Sequence, residues 1–165
     1  MLQPLSIAAS HAERDVHYAQ VRQTIAAIVD GEDDWIAAMA TVACELHHAF
    51  EYFHWTGFYR VTQPRLLVIG PYQGGHGCLR IPFDQGVCGA AARGPATQRV
   101  ADVHAFPGHI ACAASTRSEI VVPVCRRDGS VLAVLDVDSD EPAAFTEVDQ
   151  RHLEALCSEL GHTFG

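Results

Sequence analysis

Hydrophobic positions in the first fifty residues recur every three or four. Tyr18, Val21, Ile25, Ile28 and Val29 keep this spacing from Glu13 until Asp30-Gly31-Glu32 interrupts it. The spacing predicts a helix that ends at that break. A second helix is predicted from about Asp33, with Trp35, Ile36, Met39, Ala43, Leu46 and Phe50 on its apolar side. The period then shortens to two. His54 to Val61 and Arg65 to Tyr72 read as strands around a turn at Thr62-Gln63-Pro64, and Cys78 to Phe83 as a third, short strand. Gly86 to Ala92 is small and apolar and predicts a short helix, and Thr97 to Val100 another short strand. A long irregular stretch, Ala101 to Thr116, follows; such loops inside compact domains are usually functional. Strands at Ser118 to Cys125 and Val131 to Asp138 flank a turn at Arg126-Arg127-Asp128-Gly129. The tail predicts a helix, capped by Thr146 with Asp149 three residues on, and Leu153, Leu156, Cys157 and Leu160 on one face. Together these predict an α+β fold, a mainly antiparallel sheet with helices packed on it.

The chain has 165 residues, enough for one domain with a proper core. Its net charge of −9 argues against a nucleic-acid surface, which needs clustered basic residues. All eleven basic residues are Arg, read here as a genome-composition bias. No apolar run has the length of a membrane span, and the N-terminus lacks the basic and apolar regions of a secretory leader. The expected location is the cytoplasm, where thiols are kept reduced. The six cysteines are then expected to be buried, metal-bound or redox-active before they are structural disulfides.

Cys157 lies in an apolar helical stripe and Cys44 beside Ala40 and Ala43, so core packing is expected for both. Cys125 ends a strand next to two arginines and is read as incidental. Cys78, Cys88 and Cys112 lie in no clean apolar stripe. Cys88 follows Gly86-Val87 at a predicted helix start, where the helix dipole favours a thiolate. Cys112 ends Phe106-Pro107-Gly108-His109-Ile110-Ala111-Cys112, where an imidazole can support a thiolate. Cys78 follows Gly74-Gly75-His76-Gly77, a stretch flexible enough to move. Three buried thiols are the alternative. Zinc held by His104, His109 and Cys112 is a further one, at a spacing unlike that of a finger or ribbon.

Strand alternation puts Leu132, Val134, Asp136 and Asp138 on one face, with the two acids about 7 Å apart. They form either a strand end emerging into solvent or a paired-carboxylate grip on a cation. Asp136, set between Leu135 and Val137, favours the grip. Glu119 opens the run Ile120-Val121-Val122; in a pocket its pKa would rise and make it a proton donor. Trp55, Gly57 and Tyr59 share a face, and two aromatics with Gly between them can form a slot for a small sulfur or methyl group. An ordinary aromatic core is the alternative.

The stretch from Asp102 through Phe106-Pro107-Gly108 to Cys112 resembles the free methionine-(R)-sulfoxide reductases, a GAF-domain family. Ile81-Pro82-Phe83 through Gly86-Val87-Cys88-Gly89, Arg117-Ser118-Glu119-Ile120-Val121-Val122-Pro123 and Val134-Leu135-Asp136-Val137-Asp138-Ser139 match in order. So do Trp55-Thr56-Gly57-Phe58-Tyr59 and Gly70-Pro71-Tyr72-Gln73-Gly74. The similarity covers about Asp33 to the C-terminus, within one domain spanning 1–165 whose first thirty residues form a helical segment.

The resemblance implies a GAF fold with a six-stranded antiparallel sheet, and reduction of free, not protein-bound, L-methionine-(R)-sulfoxide. It implies that Cys112 is the catalytic cysteine and that Cys78 and Cys88 form disulfides with it. It implies a substrate pocket of Trp55, Tyr59, Glu119, Asp136 and Asp138. Ala113 departs from the family, which usually carries Asp there, so a loop hydrogen bond from that Asp is not expected.

On this reading Asp136 and Asp138 hold the ammonium and exclude peptides. Backbone N–H groups near Ile110 and Ala111 receive the carboxylate, and Trp55 and Tyr59 hold the S-methyl group. The Cys112 thiolate attacks sulfur while Glu119 protonates the oxygen. A second thiol then resolves the sulfenic acid to a disulfide. No cofactor is expected beyond an external thiol reductant, thioredoxin. Neither membrane nor nucleic acid is an expected partner, and a homodimer is left open. The rival is a GAF small-molecule or redox sensor without turnover, set behind because the sequence has no segment for an output domain.

Overall fold

The structure, a computed structural model, describes residues 2–108 and 114–165. Helix α1 (His11–Ile28) starts two residues earlier than its apolar period, because Ser10 and Glu13 form a capping box that satisfies the first backbone donors. Helix α2 (Trp35–Ala49) is capped by Asp34, whose carboxylate accepts from the N–H groups of Ile36 and Ala37. Ile28 and Ile36, counted as apolar-face residues from their spacing, are 54% and 44% exposed and lie at the margins of the buried stripes.

Strands β1 (Trp55–Gln63) and β2 (Leu66–Gln73) form a hairpin. Its turn falls at Pro64-Arg65, one to two residues later than expected, with Arg65 at φ 58°. Strand β3 (Arg80–Pro82) pairs with β2, and helix α3 (Gly86–Arg93) follows. Strand β4 (Gln98–Val100) leads into one 3₁₀ turn at Val103–Ala105. Strands β5 (Ser118–Cys125) and β6 (Val131–Ser139) form the second long hairpin, and helix α4 (Glu147–Phe164) closes the fold.

The sheet order is β3-β2-β1-β6-β5-β4, all neighbours antiparallel, as expected from the pattern. Strand β6 is central and separates two cores. Ala133, Leu135 and Val137 point to the side of α1, α2 and α4, where Phe58, Ile120, Val122, Leu46, Leu153 and Cys157 fill the larger core. Val134 points to the opposite side, where α3 covers Trp55, Tyr59, Val121 and Cys88. Leu132 does not share the face of Val134. Val124 pairs with Ala133 but Cys125 with Val131, so Leu132 is an extra residue in a bulge and packs on the larger core.

The tie between α1 and α4 is polar. The Asp149 carboxylate accepts from Arg14 Nη1 at 2.6 Å, Tyr18 Oη at 2.9 Å and Tyr52 Oη at 2.6 Å, as well as from the Thr146 backbone N–H and hydroxyl. Asp149 thus caps its own helix and neutralises Arg14, both fully or nearly fully buried. Breaking such a pair leaves an uncompensated buried charge. Asp149→Ala is expected to lower the unfolding free energy by about 3–5 kcal/mol in urea titrations. The double variant Arg14→Met/Asp149→Ala is expected to recover part of that loss, because it removes the orphaned charge.

Candidate active site

The register of the three middle strands builds the site. Asp138 faces Trp55 on β1 and Glu119 on β5, in one row across the sheet. One pleat on, Asp136 faces Gly57 and Val121; two pleats on, Val134 faces Tyr59. Directly opposed residues share a sheet face, so Trp55, Tyr59, Glu119, Asp136 and Asp138 meet on the α3 side. Cys88 comes down onto them from α3, and its sulfur lies within 4.8 Å of carboxylate oxygens of both Glu119 and Asp136.

This patch is acidic and dry. Glu119 is 6% exposed and Asp136 5%, while Asp138 is half-buried. Among the described residues no ion pair reaches any of the three. Burial raises the Glu119 carboxyl far above the usual carboxylate range, and the Asp136 and Asp138 charges add to the rise. Asp138 is raised by burial, then by Asp136 and Asp140, against a hydrogen bond from Thr116. Asp136 is pushed up to about 7 by burial, while Cys88 and Glu119, as donors to its carboxylate, restrain it. Its Oδ1 is fully buried without a hydrogen-bond partner among the described residues. A buried carboxylate oxygen left unpaired is costly, and it marks the place where a cation fits. The solvated-strand-end alternative for Asp136 is thereby removed.

The aromatic wall differs from the slot expected of it. The Trp55 indole stacks on Tyr59 (centroids 5.8 Å, 25°) and on Tyr72 (5.3 Å, 17°). It also lies over Gly57: a Cβ there would stand 2.6 Å from Trp55 Cη2 and 2.4 Å from Tyr72 Cβ. The missing side chain therefore admits the indole itself. Tyr72, which was not among the expected pocket residues, completes the stack.

The glycines before Cys78 also serve close packing. Gly74 adopts φ 106° against the His54 carbonyl, Trp55 Nε1 donates to the Gly75 carbonyl at 2.9 Å, and a Cβ on Gly77 would meet Tyr59 Oη at 2.9 Å. A cavity of about 250 Å³, lined by His54, Trp55, Gly75, His76, Thr116 and Asp138, opens over the acidic row. Thr116, the last residue of the irregular stretch, had no motif to mark it.

The cysteines separate by environment. Cys78 is disulfide-bonded, and Cys44, Cys88, Cys125 and Cys157 are free. Cys88 is the third residue of α3, yet the helix start does not yield the expected thiolate. Burial and the neighbouring Asp136 and Glu119 charges raise its thiol instead. It also belongs to the smaller apolar core, which its sequence surroundings did not suggest. Cys157 is fully buried as expected, whereas Cys44 is only part-buried, with His48 Nδ1 3.8 Å from its sulfur. Burial likewise raises Cys125, against a thiolate there. Ile110, Ala111, Cys112 and His109 lie outside the described residues. His104, offered as a zinc ligand with the last two, is exposed and meets Asp102 at 3.0 Å.

A six-stranded antiparallel sheet with α1, α2 and α4 on one face and α3 on the other is the architecture of a GAF domain, and residues 30–164 match that family. A free methionine-R-sulfoxide reductase from Escherichia coli is 38% identical over 143 residues, 87% of this chain and 86% of its own length. The Saccharomyces cerevisiae protein of the same name is 40% identical over 77% of this chain and 74% of its own. The crystal structure of the Neisseria meningitidis free methionine-R-sulfoxide reductase in complex with its substrate superposes with a TM-score of 0.87 at 43% identity. It covers 99% of this chain and 96% of that one. The chain belongs to the free methionine-(R)-sulfoxide reductase family of GAF proteins.

The acidic row carries a pH signature. Asp136 titrates near 7 when folded, against an ordinary value of 3.8. Between those values the folded protein holds a proton that the unfolded chain has lost, so its stability falls as pH rises through the window. In the ligand-free protein the urea midpoint is expected to decline across this range, and Asp136→Asn is expected to flatten the decline.

Proposed function

We propose that the protein reduces free L-methionine-(R)-sulfoxide to L-methionine. The observation that carries this reading is the set of buried carboxylates that, among the described residues, has no basic partner, beside an aromatic wall. Such a site is short of one positive charge and offers π surface to a small thioether or sulfoxide. The ammonium of a free amino acid supplies the charge, and a peptide nitrogen does not. The family relatives named for this reaction support the same reading.

Asp136 and Asp138 hold the ammonium, and Trp55 and Tyr59 receive the S-methyl group. The carboxylate is assigned to backbone N–H groups near Ile110 and Ala111, which lie outside the described residues. Glu119, kept protonated by burial and its acidic neighbours, donates to the sulfoxide oxygen. The Cys112 thiolate attacks the sulfur. The S–O bond of the substrate breaks, a Cys112 sulfenic acid forms, and methionine leaves reduced by two electrons. A second thiol condenses with the sulfenic acid, releasing water and forming a disulfide. Cys78 is the resolving thiol on this reading, because Cys88 is fixed in α3 and its thiol is held neutral by burial. An external dithiol, thioredoxin, returns the pair to thiols by exchange. No resident cofactor takes part. The reaction belongs in the reducing cytoplasm, and no helix among the described residues is long and apolar enough to cross a membrane.

Methionine formation from each sulfoxide diastereomer, with dithiothreitol or thioredoxin, tests the assignment. The R epimer is expected to turn over and the S epimer and N-acetylated substrate are not; equal rates for all three would overturn it. Cys112→Ser is expected to abolish activity, while Cys157→Ser affects stability alone. Asp136→Asn and Asp138→Asn are each expected to raise KM roughly ten- to a hundredfold, the worth of one charge-assisted hydrogen bond.

A further inference from the structure

The only group of metal-ligating side chains found among the described residues is Cys88, Glu119 and Asp136. All three are buried, and one donor atom from each lies within 4.8 Å of the other two. In tetrahedral zinc sites, bonds of about 2.3 Å to sulfur and about 2.0 Å to oxygen place neighbouring donors about 3.5 Å apart. Side-chain adjustments of about an ångström would close the cluster on one ion. One thiolate and two carboxylates form a borderline-soft donor set, which suits Zn²⁺ and disfavours Mg²⁺ or Ca²⁺. Beside this spacing, the buried Asp136 Oδ1 lacks a hydrogen-bond partner among the described residues. Asp138, which lines the cavity, lies one pleat from Asp136 on the same strand face.

We propose that Cys88, Glu119 and Asp136 form a binding site for a zinc-like divalent cation between α3 and the sheet, occupied in competition with the substrate ammonium. The metal site rests on the geometry of these three residues; only its competition with a free amino acid rests on the functional reading above. Three protein ligands leave a fourth position open, so the site resembles an inhibitory or sensing site more than a closed structural one. Binding releases the protons of the Cys88 thiol and of the neutral carboxyls, without any change of redox state. A reductase whose pocket takes up zinc would be held inactive while labile zinc is high.

The test uses the full-length protein, reduced and freed of reductant, titrated anaerobically with Co²⁺ as a spectroscopic probe and with Zn²⁺ in competition. The expected result is one equivalent bound with a sulfur-to-cobalt charge-transfer band, which free L-methionine displaces. Cys88→Ser should remove the band. Glu119→Gln should keep the thiolate band but weaken binding at least tenfold, since even outer-shell losses cost about 10–100-fold. Cys44→Ser controls for the part-buried Cys44–His48 pair on α2 and should leave the band intact. Cys112→Ser should also leave it intact. A band that survives Cys88→Ser, or that is lost in Cys44→Ser or Cys112→Ser with Cys88 present, overturns the site. Because the readout is a spectrum, its failure leaves the reductase assay unaffected. Metal binding that methionine does not displace would refute the competition and place the ammonium elsewhere.

Discussion

The register of β6 is the constraint on which both the core and the site depend. Its side chains alternate between two buried compartments of opposite character. Leu135 and Val137 help seal the apolar core under α1, α2 and α4, and Asp136 and Asp138 lie on the opposite face, toward α3. A slip of one residue would drive two carboxylates into the apolar core and leave the pocket aliphatic. The hydrophobic effect that fixes Leu135 and Val137 therefore also positions the acids. The bulge at Leu132 confines this demand to the part of the strand that needs it.

Placing carboxylates on that face has a cost, which the larger core offsets. An unpaired buried carboxylate is disfavoured, and burial answers by shifting protons onto Glu119, Asp136 and Asp138. The same molecule shows the opposite solution at Asp149. There a buried carboxylate meets an arginine, two tyrosines and a helix cap, with every lone pair directed at a donor. Asp149 is fully satisfied within the fold and acts as structure. Asp136 is not: among the described residues its Oδ1 is buried without a hydrogen-bond partner. That contrast separates Asp136 from the structural carboxylate more clearly than burial does.

The aromatic residues follow a related logic. Trp55 is held by two stacked rings and by its own N–H on the Gly75 carbonyl, and the absence of side chains at Gly57 and Gly77 lets the indole lie flat on the sheet. The segment before Cys78 is thus anchored to the pocket wall.

Much of this was legible in the chain. Apolar periodicity located the helices and the long strands, because burial of one face dictates the spacing on each element. Thr146 and Asp149 announced the last helix because capping is local chemistry. The motifs around Glu119, Asp136 and Trp55 pointed to the family and to its pocket residues. Alternation also put Asp136 and Asp138 on one face, since pleating is a property of a single strand. It failed at Leu132, because a bulge arises between strands and leaves no mark on either one alone. The Cys88 thiol was misjudged for a similar reason. Its helix start is local, but the carboxylates that dominate it arrive from β5 and β6. Arg14 and Asp149, 135 residues apart, gave no hint of their pairing. The sequence by itself determined which residues could be buried and with what period. Only the tertiary structure decided which buried charges would meet a partner, because desolvation and Coulomb energy depend on neighbours that the chain brings together from distant elements.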